Sequence, residues 1–486
     1  MLNWLLAAAS GAMMALAFPP FDLSWLAPLS LAPLLVALDC EPRPARRFLL
    51  GYAAGVIFWA GTCHWIHYPL AVHGNLAPAV AWGAVALLAL IKGLHTGFFG
   101  LLASGLLSSR WAALAIPALW VSIERTHGPL GFAWLALGNA GIDMEIPPRA
   151  APFTGVYGIS FVFVSMGVAL ALVIRRRPLV HLAPAAALAL LYALPRLPAP
   201  QSGEQTAVLV QPNISETADW TDSWIRRQHE RLVFLSEHAA RAGRPATLIV
   251  WPEVPAPVYY DSDPRFREMV NGLARRTQSW LLINAVPHAP SGAPLNSALL
   301  VSPEGRPAGR YDKMRLVPFG EYVPRPFGFL RKISGEAGDF EPGKQLVVLA
   351  AGGRRIGAFV CYEAVFPELV RRLAVGGAEL LVNISNDGWY GRTPAREQHF
   401  KIARMRAVEN RRWLLRATND GITAAIDPAG RVRRRLPPFT QAAMAASFSW
   451  VREQTFYTRF GDWFVWLCAL AAVTALIAGQ IPRYRP

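Results

Sequence analysis

Three segments each bring a reactive side chain to the end of an apolar run or the start of a loop. They are Leu248-Ile-Val-Trp-Pro-Glu253, Tyr311-Asp-Lys313-Met-Arg-Leu-Val-Pro-Phe-Gly-Glu321 and Ile356-Gly-Ala-Phe-Val-Cys361-Tyr-Glu363. Together they offer a carboxylate, an ammonium and a thiol. A thiol of pKa about 8.5 is mostly protonated at neutral pH, so as a nucleophile it needs a base or a nearby cation. Strand ends are where α/β folds place ligand-handling groups. Singly, each segment has an ordinary explanation: a Glu after Trp-Pro as a surface turn, a lone Lys as solvated, a Cys ending an apolar strand as core. The ten histidines are dispersed, without ligand spacing, so neither a metal nor another cofactor is expected.

The elements that must carry these residues lie between about Gln201 and Trp450, where charged residues return between short apolar runs. Strands are expected at Thr206–Val210, Thr247–Trp251, Trp280–Ala285, Ser297–Val301, Leu346–Leu349, Ile356–Cys361 and Leu380–Ile384. Amphipathic helices are expected at Asp222–Ala242, Pro264–Gln278, Pro367–Val375 and Pro394–Arg412. Alternating strand and helix imply an α/β domain, its strands covered by helices. No internal repeat is visible. Pro195–Pro200 reads as a linker.

The rest of the chain is apolar. Of 486 residues, 53% are hydrophobic and 16% charged, and the mean hydropathy is +0.27; that excludes a disordered chain and argues against an ordinary soluble enzyme. Apolar stretches fall at Leu2–Ala17, Leu23–Leu38, Leu49–Tyr68, Pro78–Leu107, Trp111–Glu124, Thr154–Ile174, Leu179–Pro195 and Gly461–Gln480. Read as membrane spans, they make residues 1–198 a seven-span domain and 461–480 a C-terminal span. Ala15-Leu16-Ala17 resembles a signal-peptidase site, but no Lys or Arg precedes the apolar run, so the first stretch is kept as a span.

Lys and Arg exceed Asp and Glu by 48 − 32 = 16. Arg43, Arg46, Arg47, Arg110, Arg175–Arg177, Arg483 and Arg485 fall in loops that alternate onto one side, against Arg125 and Arg149 on the other. By the positive-inside rule both termini are cytoplasmic and residues 201–452 face outward, into the periplasm of a bacterial inner membrane. Arg431 and Arg433–Arg435 form a basic cluster, read first as a solvated turn and otherwise as attraction to lipid headgroups. No nucleic-acid motif is present. Lys92, His64, His67 and His95 lie in or near spans, with no role assigned.

In that topology Cys361 is the only thiol of the outward domain, since Cys63 and Cys468 lie in spans and Cys40 at the cytoplasmic edge. Four cysteines in so long a chain make no disulfide scaffold. Glu, Lys and Cys in this order, each at a strand-end motif, resemble the nitrilase superfamily. With the spans around it, and with Leu316–Pro324, Ser385–Gly391 and Ala403–Glu409, the chain is similar to the membrane-embedded apolipoprotein N-acyltransferase family over nearly its whole length.

The resemblance implies an α/β nitrilase-like α-β-β-α sandwich inserted into a multi-span α-helical membrane domain. It implies acyl transfer from a phospholipid, typically sn-1, to Cys361 as a thioester and then to the α-amino group of a diacylated apolipoprotein, one chain holding the whole site. Glu253 would be the base, and Lys313 would stabilise thiolate and oxyanion. Glu321, Tyr362 and Glu363 would support them, Glu321 and Glu363 by orienting Lys313 or the amine. Trp220, Trp389 and Tyr390 would wall the acyl chain. Two other functions stay open on the sequence: a membrane-tethered amidase or thioester hydrolase, and a transporter or binding scaffold with a decayed nitrilase domain.

Overall fold

The computed structural model describes residues 1–128, 132–199, 202–216, 220–242, 244–254, 259–323 and 340–480. Pro200, Pro324, Arg483 and Arg485 lie outside the described residues. The chain divides into two compact units, one of Met1–His67, Ala77–Leu197 and Arg459–Pro486, the other of Tyr68–Leu76 and Pro198–Thr458.

The first unit is helical: α1 (Leu2–Leu16), α2 (Ala32–Cys40), α3 (Pro44–Cys63), α4 (Pro78–Leu106), α5 (Ala112–Arg125), α6 (Ala151–Thr154), α7 (Val156–Ile174) and a C-terminal helix, Trp463–Gln480. Among the described residues, three helices are long and apolar enough to cross a membrane: Pro44–His73, Pro78–Leu106 and Val156–Ile174. Proline shapes the others, because it removes a helical N–H and clashes with the preceding turn. The second apolar stretch is a 3-10 turn at Ser24–Leu26 followed by the short α2, with Pro28 between them. The stretch after Arg177, which holds Pro178 and Pro184, takes 3-10 turns at Leu179–His181 and Ala183–Ala193 instead of an α-helix.

Helices α3 and α4 run antiparallel along a seam of small residues, which lets backbones approach as transmembrane helices prefer. A methyl group added at Gly51 would lie 2.3 Å from the Thr96 carbonyl oxygen, and one at Gly55 would lie 2.7 Å from the Thr96 hydroxyl. Charge marks the ends of the unit. Asp39, near the end of α2, pairs with Arg175 at 2.6 Å and Arg177 at 2.7 Å beyond α7. Arg125, at the end of α5, pairs with Asp462 at 2.8 Å before the C-terminal helix.

The second unit holds two six-stranded mixed sheets. In the first, β1 (Gln205–Gln211), α8 (Asp222–Arg241), β2 (Leu248–Val250), α9 (Pro264–Thr277) and β3 (Trp280–Ala285) give three parallel strands joined through helices. Antiparallel β4 (Ser297–Val301) and β5 (Pro307–Asp312) complete it. The chain then crosses to β6 (Leu349–Ala351) and repeats the pattern with β7 (Arg354–Val360), α10 (Pro367–Val375), β8 (Leu380–Ser385), α11 (Ala395–Asn410) and β9 (Leu414–Thr418). Hairpin strands β10 (Ala424–Ile426) and β11 (Val432–Arg435) follow, and β12 (Ala442–Phe448) returns to pair antiparallel with β1.

The strand orders are β12-β1-β2-β3-β4-β5 and β11-β10-β9-β8-β7-β6. Each sheet thus receives its flanking strand straight after the other sheet's last hairpin strand, a structural repeat the sequence does not display. The sheets pack face to face, with α8 and α9 outside one and α10 and α11 outside the other. The apolar core of the first half joins Val208, Val210, Ile249, Leu281 and Ile283 from the strands to Leu232, Leu235, Phe266, Val270 and Leu273 from the helices.

Helix α11 departs from the expected amphipathic pattern. All of its residues from Ala395 to Asn410, Glu397 excepted, are buried. Its charges are therefore matched inside: Arg396 pairs with Asp420 at 2.7 Å, Arg406 with Glu409 at 3.0 Å, and Arg404 donates to the Gly430 carbonyl at 2.8 Å.

The α3–α4 seam makes a test. Gly51→Ala drives a methyl group into the Thr96 backbone and is expected to cost about 1–3 kcal/mol, as overpacking does, read as a lower melting temperature of the solubilised protein. Gly83→Ala, within α4 and with nothing within 4 Å of the added carbon, is expected to be neutral or mildly stabilising.

Candidate active site

Four strand ends converge on one buried cluster of charge. Glu253 lies just past β2, Lys313 directly after β5, Cys361 directly after β7, and Asn386 directly after β8. Lys313 is 1% exposed. Its Nζ donates to Glu321 Oε1 at 2.9 Å and approaches Glu253 Oε1 at 3.5 Å, so Glu321 is its tighter partner. Burial alone would lower the lysine's pKa; the Glu253 and Glu321 charges, with Cys361, outweigh it and raise the pKa. Lys313 is a permanent cation.

Asn296, immediately before β4, ties the two acids together. Its Nδ2 donates to Glu253 Oε1 at 2.6 Å and to Glu321 Oε1 at 2.8 Å. Its own Oδ1 accepts from Asn284 Nδ2 at 2.9 Å, which leaves the NH2 edge facing the acids. The second oxygens are held by backbone: Glu253 Oε2 accepts from Asn386 N–H at 2.9 Å and Glu321 Oε2 from Val317 N–H at 2.8 Å.

Cys361 sits where β7 breaks into the 3-10 turn Cys361–Val365, with φ at +49°. That is left-handed backbone in a non-glycine residue, a strained conformation that its surroundings must enforce. Glu363 is one enforcer. It is 0% exposed; its Oε2 accepts from Val360 N–H at 2.8 Å, and its Oε1 from Tyr311 O–H at 2.7 Å, Met314 N–H at 2.8 Å and Arg315 N–H at 3.1 Å. One carboxylate thereby stitches the cysteine turn to the segment that carries Lys313.

The other enforcer lies behind the turn. Arg416 on β9 binds both oxygens of Asp387, at 2.9 and 3.0 Å, and its Nη2 also meets His399 Nδ1 at 3.1 Å. Arg416, Asp387 and His399 are all 0% exposed. Burial would raise Asp387, but the Arg416 guanidinium holds its carboxyl far below the usual range. Burial and Arg416 push the imidazole's pKa down, so His399 is neutral. The Cys361 carbonyl only accepts, so His399 Nε2–H donates to it at 3.1 Å, while Nδ1 lies 3.1 Å from Arg416 Nη2 and 3.3 Å from Asp387 Oδ1.

The thiol is pushed up to about 12 by burial and by the Glu253 charge, against the opposing pull of Lys313 and a Ser385 hydrogen bond. Ser385 Oγ also donates to Asp387 Oδ1 at 3.0 Å. At rest the Cys361 side chain is a protonated thiol beside a carboxylate and an ammonium.

The structure thus brings Glu253, Lys313, Cys361, Glu321 and Glu363 into one connected cluster. Tyr362 is buried in the cysteine turn with its ring edge-on to Phe366 at 5.2 Å. Buried Tyr390 lies edge-on to His399 at 5.9 Å, and Trp389 meets the His73 ring at 4.7 Å. Trp220 instead packs on Trp224 at 4.9 Å, and among the described residues no ring contact or hydrogen bond links it to the cluster. Asn296, Ser385, Asn386, Asp387, His399 and Arg416 were not singled out from the sequence. Ser385, Asn386 and Asp387 stand in the Ser385–Gly391 run, the available signal; His399 and Arg416 look like ordinary helix and strand residues.

Paired mixed sheets with helices outside define a carbon-nitrogen hydrolase, nitrilase-like fold, and residues 206–449 match the carbon-nitrogen hydrolase family. The carbon-nitrogen hydrolase of Helicobacter pylori is a solved structure with 19% identity, covering 50% of this chain and 88% of that one at a TM-score of 0.39. Residues 10–169 match the apolipoprotein N-acyltransferase N-terminal domain. The apolipoprotein N-acyltransferase of Geobacter metallireducens is 37% identical, covering 98% of this chain and 95% of its own. That of Azotobacter vinelandii is 33% identical, with 98% and 94% covered. The chain belongs to the apolipoprotein N-acyltransferase family.

Two outcomes follow from this geometry. With its pKa near 12, Cys361 is expected to react with iodoacetamide roughly a thousandfold more slowly at pH 7 than a free cysteine of pKa about 8.5, the rate climbing with pH. Glu253→Gln removes a charge that raises the thiol, so the profile moves to lower pH, read by site-resolved mass spectrometry. His399→Gln can still donate to the Cys361 carbonyl and should keep most turnover. His399→Phe should lose about tenfold in kcat, the worth of one hydrogen bond of about 1.4 kcal/mol, with KM little changed.

Proposed function

We propose that this membrane protein transfers an acyl chain from the sn-1 position of a phospholipid, through a thioester on Cys361, to the α-amino group of a diacylglyceryl-cysteine at an apolipoprotein N-terminus. One observation supports this reading above the others. The cluster of Glu253, Lys313 and Glu321 acts on a buried thiol in a chain that aligns end to end with named N-acyltransferases.

The steps balance as a ping-pong cycle. The Cys361 sulfur attacks the ester carbonyl as its proton passes to Glu253. The carbonyl oxygen becomes an oxyanion facing the Lys313 ammonium. Collapse expels the lysophospholipid oxygen, which takes the proton back from Glu253, and leaves the thioester. The incoming amine attacks that carbonyl, giving its proton to Glu253; the thiolate departs and is reprotonated. An amide is formed and the thiol is restored. Lys313, fixed by Glu321, needs no reorganisation as charge develops, which is the basis of electrostatic catalysis.

The spans of residues 1–198 and 461–480 would hold this site at the periplasmic face of the inner membrane, termini in the cytoplasm, each chain acting alone. Both substrates carry acyl chains, and drawing either into water costs about 0.8 kcal/mol per CH₂. Lateral entry from the bilayer avoids that cost.

The test is a pulse and chase. Phospholipid labelled in its acyl chain should leave a hydroxylamine-labile label on Cys361, absent in Cys361→Ala, that a diacylated lipopeptide converts to amide product. Release only as free fatty acid would identify a hydrolase and overturn the proposal. Lys313→Ala removes the oxyanion's cation and should lower kcat by about 10²–10³, equivalent to about 2.7–4 kcal/mol.

A further inference from the structure

The amide that joins the two acids is itself aimed by a second amide. Asn284 and Asn296 are both buried. Asn284 lies on β3, where Leu281, Ile283 and Ala285 join the helix-side core. Side chains alternate along a strand, so Asn284 points to the other face, towards the second sheet. Asn296 stands just before β4, and its backbone carbonyl accepts from Lys313 N–H at 2.8 Å. The two amides meet across the antiparallel β3–β4 pair, in which Asn284 opposes Ala298.

An amide side chain donates at one end and accepts at the other, so its partners fix which way it points. Asn284 Nδ2 faces two acceptors, Asn296 Oδ1 at 2.9 Å and the Ser297 carbonyl at 3.1 Å. Turned over, Asn284 would set its oxygen against a backbone carbonyl of β4, a strand held on both sides by β3 and β5. Orientation therefore passes from the sheet backbone to the site. The Ser297 carbonyl orients Asn284, Asn284 satisfies the Asn296 oxygen, and the Asn296 NH2 group is left for Glu253 Oε1 at 2.6 Å and Glu321 Oε1 at 2.8 Å. Lys313 reaches the same two oxygens at 3.5 and 2.9 Å, so Glu253 has its closest side-chain donor in Asn296. Without the Asn284 donor the Asn296 oxygen is a buried acceptor left unsatisfied, a cost that the side chain relieves by rotating. That rotation takes its NH2 group away from the acids.

We propose that Asn284 is a positioning residue of the active site: acting through Asn296, it keeps the donors of that amide on Glu253 and Glu321 and so holds Glu253 in place beside Lys313 and the Cys361 thiol. Its effect on turnover rests on the acyl-transfer reading; its effect on the thiol does not.

The test uses the full chain, solubilised, and reads Cys361 alkylation by iodoacetamide, which needs no acyl donor. Asn284→Leu removes the donor at nearly equal size. Asn296 is then free to turn, the Glu253 charge facing the thiol is weakened, and alkylation at pH 7 should rise about threefold to tenfold, the worth of one hydrogen bond. Asn296→Leu should raise it at least as much, and Asn284→Leu should add nothing in the Asn296→Leu background, because two residues acting as one unit are not additive. With phospholipid and diacylated lipopeptide, Asn284→Leu should lower kcat about tenfold with KM little changed. A folded Asn284→Leu protein with an unchanged alkylation rate, whatever its melting temperature, would make the amide a packing residue and overturn the proposal. An equal rise in both backgrounds would overturn it too. If Asn284→Leu does not fold, Asn284→Ala removes the same donor without added bulk and completes the same cycle. Absence of a thioester on the unsubstituted protein, with the alkylation shift intact, would overturn the acyl-transfer reading and leave the positioning role standing.

Discussion

One buried lysine held between two carboxylates sets the terms for the catalytic unit. Lys313 cannot be buried without Glu321 and Glu253, and two acids in one site need more donors than a single ammonium supplies; Asn296 and two backbone N–H groups make up the difference. The groups come from both sheets, since Glu253 and Lys313 follow β2 and β5 while Cys361 and Asn386 follow β7 and β8. The sheets must therefore pack with these strand ends in register. Glu363 enforces that register locally, because it accepts from Val360 in one sheet and from Tyr311 and its successors in the other. A carboxylate expected only to assist turns out to join the two halves.

The charge balance also decides how the thiol can work. In a buried site beside the Glu253 charge, a standing thiolate is disfavoured. Glu253 opposes the thiolate, and in the proposed acyl transfer the same carboxylate would take the thiol proton as the sulfur attacks. The residues behind Cys361 act on shape instead. Arg416, Asp387 and His399 direct one imidazole N–H at the carbonyl of a left-handed residue, which holds the sulfur's backbone in a conformation the chain would otherwise leave.

Much of this was legible in the sequence where local pattern and tertiary role agree. Strands β3 and β4 and helix α10 fall where β-branched runs and amphipathic spacing place them, because the two strands are almost wholly buried and α10 turns one face to the core. The reading weakened where they diverge. Strand β5 is largely polar, β11 is a run of exposed arginines, and β12 is mostly alanine and serine, so none carries an apolar alternation. Helix α11 is polar in sequence yet enclosed, since Asp420, the Gly430 carbonyl and its own Glu409 satisfy its arginines one by one. The repeat was hidden for the same reason: it is one of strand order, which quite different side chains can satisfy. Asn296 and His399 act through a single hydrogen-bond geometry, and composition holds no trace of that.

The catalytic unit is also not contiguous in the chain. Tyr68–Leu76, which connects two apolar helices, groups with residues 198–458. The Tyr68 ring lies against Gly391, leaving no room for a side chain there: a Cβ would come within 2.3 Å of it. Its neighbour His73 meets Trp389. A fragment excised at Pro198 would therefore arrive with a gap above Gly391 and a bare indole beside it. Autonomy has been surrendered: this half of the molecule borrows nine residues from a segment lying in sequence between α3 and α4, and cutting it loose for study would remove part of its own wall.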